Sequence, residues 1–219
     1  MPDGIPELDA AIRARHLLKH PFYRAWSSGE LPMENLREYA KQYYHFEREF
    51  PRYVASAYSK LTDPVGRRVL LENLIDEEGR DPTHPELWLQ FANSIGVRRD
   101  AVVRSRPRPT TASLRRAYER MTFDGTAPEA LGALYSYESI FPEVAAEKSR
   151  GLRENYHITD PQAHEFFRVH TDADVAHSGA ERKLLRRELQ GHPRARNEAL
   201  AAAERAMTGW WRFLDDFTP

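Results

Sequence analysis

Residues 162–185 read QAHEFFRVHTDADVAHSGAERKLL, and within them His170, Asp174 and His177 stand at i, i+4 and i+7. On a helix that spacing stacks all three side chains on one face. It is the face that Phe166, Phe167, Leu184 and Leu185 mark as buried. Two imidazoles and a carboxylate in an apolar stripe cost desolvation free energy unless something inside compensates them. A metal ion compensates all three together, and it calls for further donors from neighbouring helices. The stripe therefore points to a multi-helix core built around a polar centre.

The remaining sequence supplies those helices. Residues 6–18 form a short amphipathic segment, and KHPFYRAWSSGEL is a second one ending near Gly29. From Pro32 to about Leu61, Tyr39, Tyr43, Phe46, Phe50 and Tyr53 recur at helical spacing, with a kink expected at Pro51. Asp63-Pro64 opens a helix running to Gly79, and His84 to Ile95 makes another. The basic stretch 98–110 reads as a connector. Helices follow over 111–123 and 128–155, the latter interrupted at Pro142. Asp160-Pro161 caps the helix of the opening motif, and Pro193 to Phe217 closes the chain. No segment alternates with period two. The expectation is one all-α domain over 1–219, a bundle of roughly eight to nine helices.

Composition narrows the function. The 219 residues carry a formal net charge of -1, which offers no electrostatic capture of nucleic acid or of an anionic membrane. A mean hydropathy of -0.71 and the lack of a long apolar run exclude a transmembrane helix. The opening residues have no apolar core of signal-peptide type, so a cytoplasmic location is expected. With Cys at 0 there is no disulfide framework, thiolate metal site or cysteine nucleophile.

Two other segments offer donors. Glu138 shares a helical face with Leu131, Leu134, Tyr135, Pro142 and Ala145, where a carboxylate is rarely buried alone and would otherwise need a core arginine. In LLENLIDEEGRDPTHPELW a helix ends in two glutamates, and His84 begins the next after a tight turn. The helical wheel set by Val69, Leu70, Leu71, Leu74 and Ile75 turns Glu78 inward more directly than Glu77. Glu77 or Glu78, His84, Glu138, His170, Asp174 and His177 make three carboxylates and three imidazoles. That set exceeds one tetrahedral zinc and suits two octahedral first-row ions, in the manner of helical di-iron carboxylate proteins.

In order and spacing, the motifs KHPFYRAWSSGEL, YAKQYYHFEREFPRY, NLIDEEGRDPTHPELW, ALYSYESIFPEVAAEKSRGL, HTDADVAH and WWRFLDDF resemble the haem-oxygenase-like, TenA/PqqC-like helical proteins. Within them the chain is most similar to the CADD-like di-metal oxidases, named for the chlamydial protein associating with death domains. The resemblance covers nearly the whole chain. It implies a metal set of Glu77, His84, Glu138, His170, Asp174 and His177, choosing Glu77 where the wheel chose Glu78. It also implies a self-consuming synthesis of p-aminobenzoate, the folate precursor. In that reaction Tyr23 would be the tyrosine spent, Lys148 the amino donor and Tyr137 a second functional tyrosine. The cofactors would be two metal ions, Fe/Fe or Fe/Mn, with O2 and an external reductant. A homodimer is expected on the same ground.

Two further functions compete with that one. The same fold could act as a di-iron oxidase on an external small molecule, by desaturation, N-oxygenation or oxidative decarboxylation of an amino or fatty acid; Tyr23 and Lys148 favour the self-consuming reaction. A metal-free binding protein is disfavoured, because six such groups meeting without an ion would be strongly destabilising. A thiaminase of the TenA type needs a cysteine that this chain lacks. The metal-free quinone-cofactor synthase does not need this carboxylate set.

Overall fold

The computed structural model describes residues 4–219, with the side chains of 172–176 outside the described set. Among the described residues there are twelve α-helices and no strand. They are α1 (Ile5–Ala14), α2 (Pro21–Ser28), α3 (Met33–Glu47), α4 (Phe50–Lys60), α5 (Pro64–Glu78), α6 (His84–Ser94), α7 (Arg99–Val103), α8 (Pro109–Glu119), α9 (Ala127–Glu138), α10 (Phe141–Glu154), α11 (Gln162–Leu189) and α12 (Pro193–Asp215). A 3-10 turn at Leu17–Lys19 precedes α2, and a π turn at Arg120–Asp124 follows α8. None of these helices is long and apolar enough to cross a membrane.

The all-α expectation holds, and several boundaries move. Pro51 does not kink a long helix. The chain breaks at residues 48–49, and Pro51 sits in the first turn of α4, where its missing N–H leaves no bond unmade. Pro142 does the same at the start of α10, the interruption expected there, so Tyr137 and Lys148 lie on two helices. The expected connector over 98–110 contains α7 and the start of α8. Pro161 is the N-cap residue of the motif helix, and Asp160 just before it accepts the Gln162 N–H on Oδ1 at 3.0 Å.

Two close approaches position the centre. Buried Ala199, Ala202, Ala203 and Ala206 give α12 a smooth face against α9. A Cβ at Gly132 would stand 2.4 Å from the Ala199 carbonyl oxygen, so only glycine lets these backbones meet. Gly151 of α10 makes similar room for Trp26, whose Nε1 donates to the Lys148 carbonyl at 3.1 Å. That bond fixes α2 against α10 and brings Tyr23 and Lys148 to the same place.

Helix α5 exposes several apolar residues while it buries polar ones beside Leu70. Val65, Leu71 and Ile75 are 53%, 43% and 52% exposed, while Asn73 and Glu77 are buried. The wheel's choice of Glu78 is therefore corrected: Glu78 faces solvent and Glu77 faces the core. A helix buries a polar face only where other polar groups wait for it.

Candidate metal centre and its lysine pocket

Helix α11 rises about 1.5 Å per residue, so His170 and His177 lie roughly 10 Å apart along it. A stripe of that length addresses two positions in the core rather than one. At the first, ligand atoms of Glu47, Glu77, His84 and His170 lie within 4.8 Å of one another, all four residues buried. They come from α3, α5, α6 and α11. His84 Nδ1 is 3.0 Å from Glu77 Oε2, His170 Nε2 is 4.0 Å from Glu47 Oε1, and the two rings are 4.2 Å apart. The Phe166 carbonyl accepts from His170 Nδ1 at 2.7 Å, which leaves Nε2 as the lone-pair nitrogen facing the cluster. Burial, and then the neighbouring His84, hold the His170 imidazole well below its ordinary pKa. Neutral imidazole is the form that binds metal.

At the second position Glu138 ends α9, with Asn73 Nδ2 donating to its Oε1 at 2.8 Å. Burial raises the Glu138 carboxyl above its usual range, against hydrogen bonding from Glu181 and Asn73 and the charge of His177. Its neighbours are thus Asn73 and Glu181 rather than a core arginine. His177 is 7% exposed and Glu181 wholly buried. The Asp174 side chain lies outside the described residues.

Of the six expected ligands, Glu77, His84 and His170 come together in the first group, and Glu138 and His177 lie by the second. Two carboxylates were missed, and each had a signal. Glu181 continues the opening stripe four residues beyond His177; Glu47 stands four beyond Tyr43 and eight beyond Tyr39 on the aromatic face of α3.

This donor set fits two divalent ions. Glu47, Glu77, Glu138 and Glu181 are each at most 2% exposed. Fully ionised they would hold four negative charges in a medium that penalises each severely, and two divalent ions match that charge. Oxygen and imidazole donors without thiolate suit first-row divalent ions rather than a soft-metal site.

Beside the first group lies Lys148, wholly buried. Its Nζ is 4.8 Å from the Tyr43 ring centroid, 5.2 Å from Tyr39, 5.6 Å from Tyr23 and 5.1 Å from Phe141. Trp88 and Phe167 complete the enclosure at 5.5 and 5.7 Å. No oxygen among the described residues accepts from Nζ. Burial holds the amine well below the usual lysine range, with Glu47 acting in the opposite direction. Tyr23 and Tyr39 share a hydroxyl contact at 3.3 Å, the Tyr39 and Tyr43 rings are 5.6 Å apart, and the Tyr43 and Tyr137 hydroxyls are hydrogen-bonded. Four phenols thus run from Tyr23 to the residue next to Glu138. Tyr137 is held flat against Trp210, at 5.0 Å and 12°.

Comparison with known proteins places this arrangement. A family model described as an iron-containing redox enzyme matches residues 37–211, the stretch that holds every glutamate and histidine of both groups. The 4-aminobenzoate synthase of Chlamydia muridarum is 36% identical over 213 residues, covering 97% of this chain and 89% of that protein. The 4-aminobenzoate synthase of Nitrosomonas europaea is 36% identical over 218 residues, covering 95% and 88%. Among solved structures, a TenA homolog from Pseudomonas syringae pv. tomato aligns with a TM-score of 0.82 at 17% identity, over 97% of this chain and 89% of that one, a likeness of fold. The chain belongs to the haem-oxygenase-like family of iron-containing redox enzymes.

Proposed function

We propose that this chain makes 4-aminobenzoate from its own Tyr23, with Lys148 as the nitrogen source, at a centre of two first-row metal ions served by O2 and an external reductant. The observation that carries the reading is the shared enclosure of Tyr23 and Lys148, with Nζ 5.6 Å from the phenol ring centroid and no competing acceptor for it among the described residues. The relatives that match nearly the whole chain are 4-aminobenzoate synthases, which supports the product.

The product is a benzene ring with carboxyl and amino groups para to each other. A tyrosine side chain is a benzene ring with a methylene carbon and a hydroxyl in the same relation. Conversion keeps the ring, breaks the Cα–Cβ bond and oxidises Cβ to a carboxylate with O2 as the oxidant; the phenolic oxygen leaves as water and is replaced by the lysine nitrogen, whose Cε–Nζ bond breaks. Residues of this chain meet those needs. Burial lowers the Lys148 amine well below the usual lysine range, which favours the neutral form and its lone pair. Tyr39 is in place to share the Tyr23 phenolic proton at 3.3 Å. The line Tyr39, Tyr43 and Tyr137 offers a path for an electron and a proton toward Glu138, and Tyr137 has its place there. The packed aromatic wall excludes water, which would otherwise quench an oxidised ring.

Glu47, Glu77, His84 and His170 would hold one ion, and Glu138, His177 and Glu181 with Asp174 the other. When bound, such ions supply redox and Lewis-acid chemistry for the use of O2.

Metal-loaded, reduced protein exposed to O2 is expected to release less than one equivalent of 4-aminobenzoate per chain and then stop. Tyr23→Phe should lose the product and keep the metal, and Lys148→Arg should lose the product and keep O2 consumption. Full yield from Tyr23→Phe would refute the proposal and favour an oxidase acting on an external small molecule.

A further inference from the structure

Asp76 precedes Glu77 on α5 and serves a different neighbour. Its Oδ2 lies 2.8 Å from His177 Nε2, while its other oxygen pairs with the exposed Arg80 one helical turn on. The same carboxylate lines a cavity of about 290 Å3, which Arg80, His84 and Arg168 also line. Asp76 thus stands at the boundary between the buried donors and solvent, 21% exposed on its side chain.

A carboxylate only accepts, so this contact places the proton of a neutral His177 on Nε2. The ring's lone pair is then on Nδ1, which is shut off from solvent. A carboxylate behind an imidazole fixes its tautomer and orientation and makes it a better donor to a metal.

We propose that Asp76 is a positioning residue of the metal centre: it orients His177 through Nε2–H and presents Nδ1 inward, with Arg80 holding the carboxylate from the solvent side. The proposal rests on His177 being a ligand, and it adds a residue outside both donor groups.

The test begins on metal-free, full-length protein labelled with 15N-histidine, at a pH where imidazole is neutral. Two-bond 1H–15N spectra, with His177 assigned by its loss in His177→Gln, should show the Nε2–H tautomer. In Asp76→Ala that preference should weaken, whereas Asp76→Asn should keep it because the amide oxygen still accepts. Co(II) affinity, measured against a competing chelator, should fall by about 10- to 100-fold in Asp76→Ala with the same number of ions bound at saturation. Arg80→Ala should leave the tautomer in place. An Nδ1–H tautomer in the wild type, or unchanged Co(II) affinity in a folded Asp76→Ala, would overturn the proposal. Loss of one whole ion in both Asp76 variants would also overturn it, by making Asp76 a ligand. Wild-type protein that takes up no Co(II) would refute the metal-centre reading, and the tautomer measurement would then decide the role of Asp76.

Discussion

Replacing Lys148 with Met removes a buried amine and keeps an apolar chain of similar length, and its effect on stability should depend on pH. Two influences oppose each other at Nζ. Six aromatic rings at 4.8–5.7 Å favour an ammonium. Burial favours the amine, because an ammonium has three N–H donors and no oxygen among the described residues accepts one. The rings offer no lone-pair acceptor for those three donors, and burial removes the water that would solvate them. The amine therefore prevails, in line with the lowered pKa that burial causes.

Between that depressed native value and the ordinary lysine value near 10.4, the unfolded chain holds a proton that the native chain lacks. Stability then rises with pH by about 1.36 kcal/mol per unit. As pH rises through that interval, wild type should gain stability relative to Lys148→Met. Groups common to both proteins cancel in that difference, so the slope is informative even where the substitution shifts the absolute stability. Urea denaturation of both metal-free proteins at three pH values in this window measures it. Parallel profiles would mean that the native lysine is charged, and would remove it as a nucleophilic nitrogen source.

The inward residue at the end of α5 can be tested by metal content after iron loading: Glu77→Ala should lose bound metal and Glu78→Ala should retain it. The opposite result would restore the helical-wheel assignment. Gly132→Val should destabilise the fold by about 1–3 kcal/mol or more, since the added carbon would press on the Ala199 backbone where no flexible side chain can yield. An unchanged melting temperature would show that α9 and α12 do not meet as closely as described.

The features legible in the sequence were those carried by one helix. His170 and His177 share a register on α11, and their burial follows from the apolar residues around them. Glu138 stood out for the same reason. The sequence was misleading where tertiary partners reverse the usual preference. Leu71 and Ile75 belong to the α5 wheel, yet both face solvent, while Leu70, Asn73 and Glu77 of that helix are buried and the two polar residues meet the polar centre. The prolines mark helix starts: Pro51, expected to kink one long helix, and Pro142, expected to interrupt another, each belong to the first turn of a new helix. Glu47 was hidden by its setting, a carboxylate in an aromatic-rich helix whose partners lie 30 or more residues away in sequence. Asp76 could be seen only once α5 and α11 were side by side.

The central claim is that the chain is its own substrate. Protein made with ring-13C-tyrosine should be purified, loaded with iron or with iron and manganese, reduced, and exposed to O2 in the presence of unlabelled free tyrosine. Fully ring-labelled 4-aminobenzoate is expected, together with a tryptic peptide that has lost mass at Tyr23 and at no other tyrosine. Unlabelled product, or labelled product with Tyr23 intact, would contradict it.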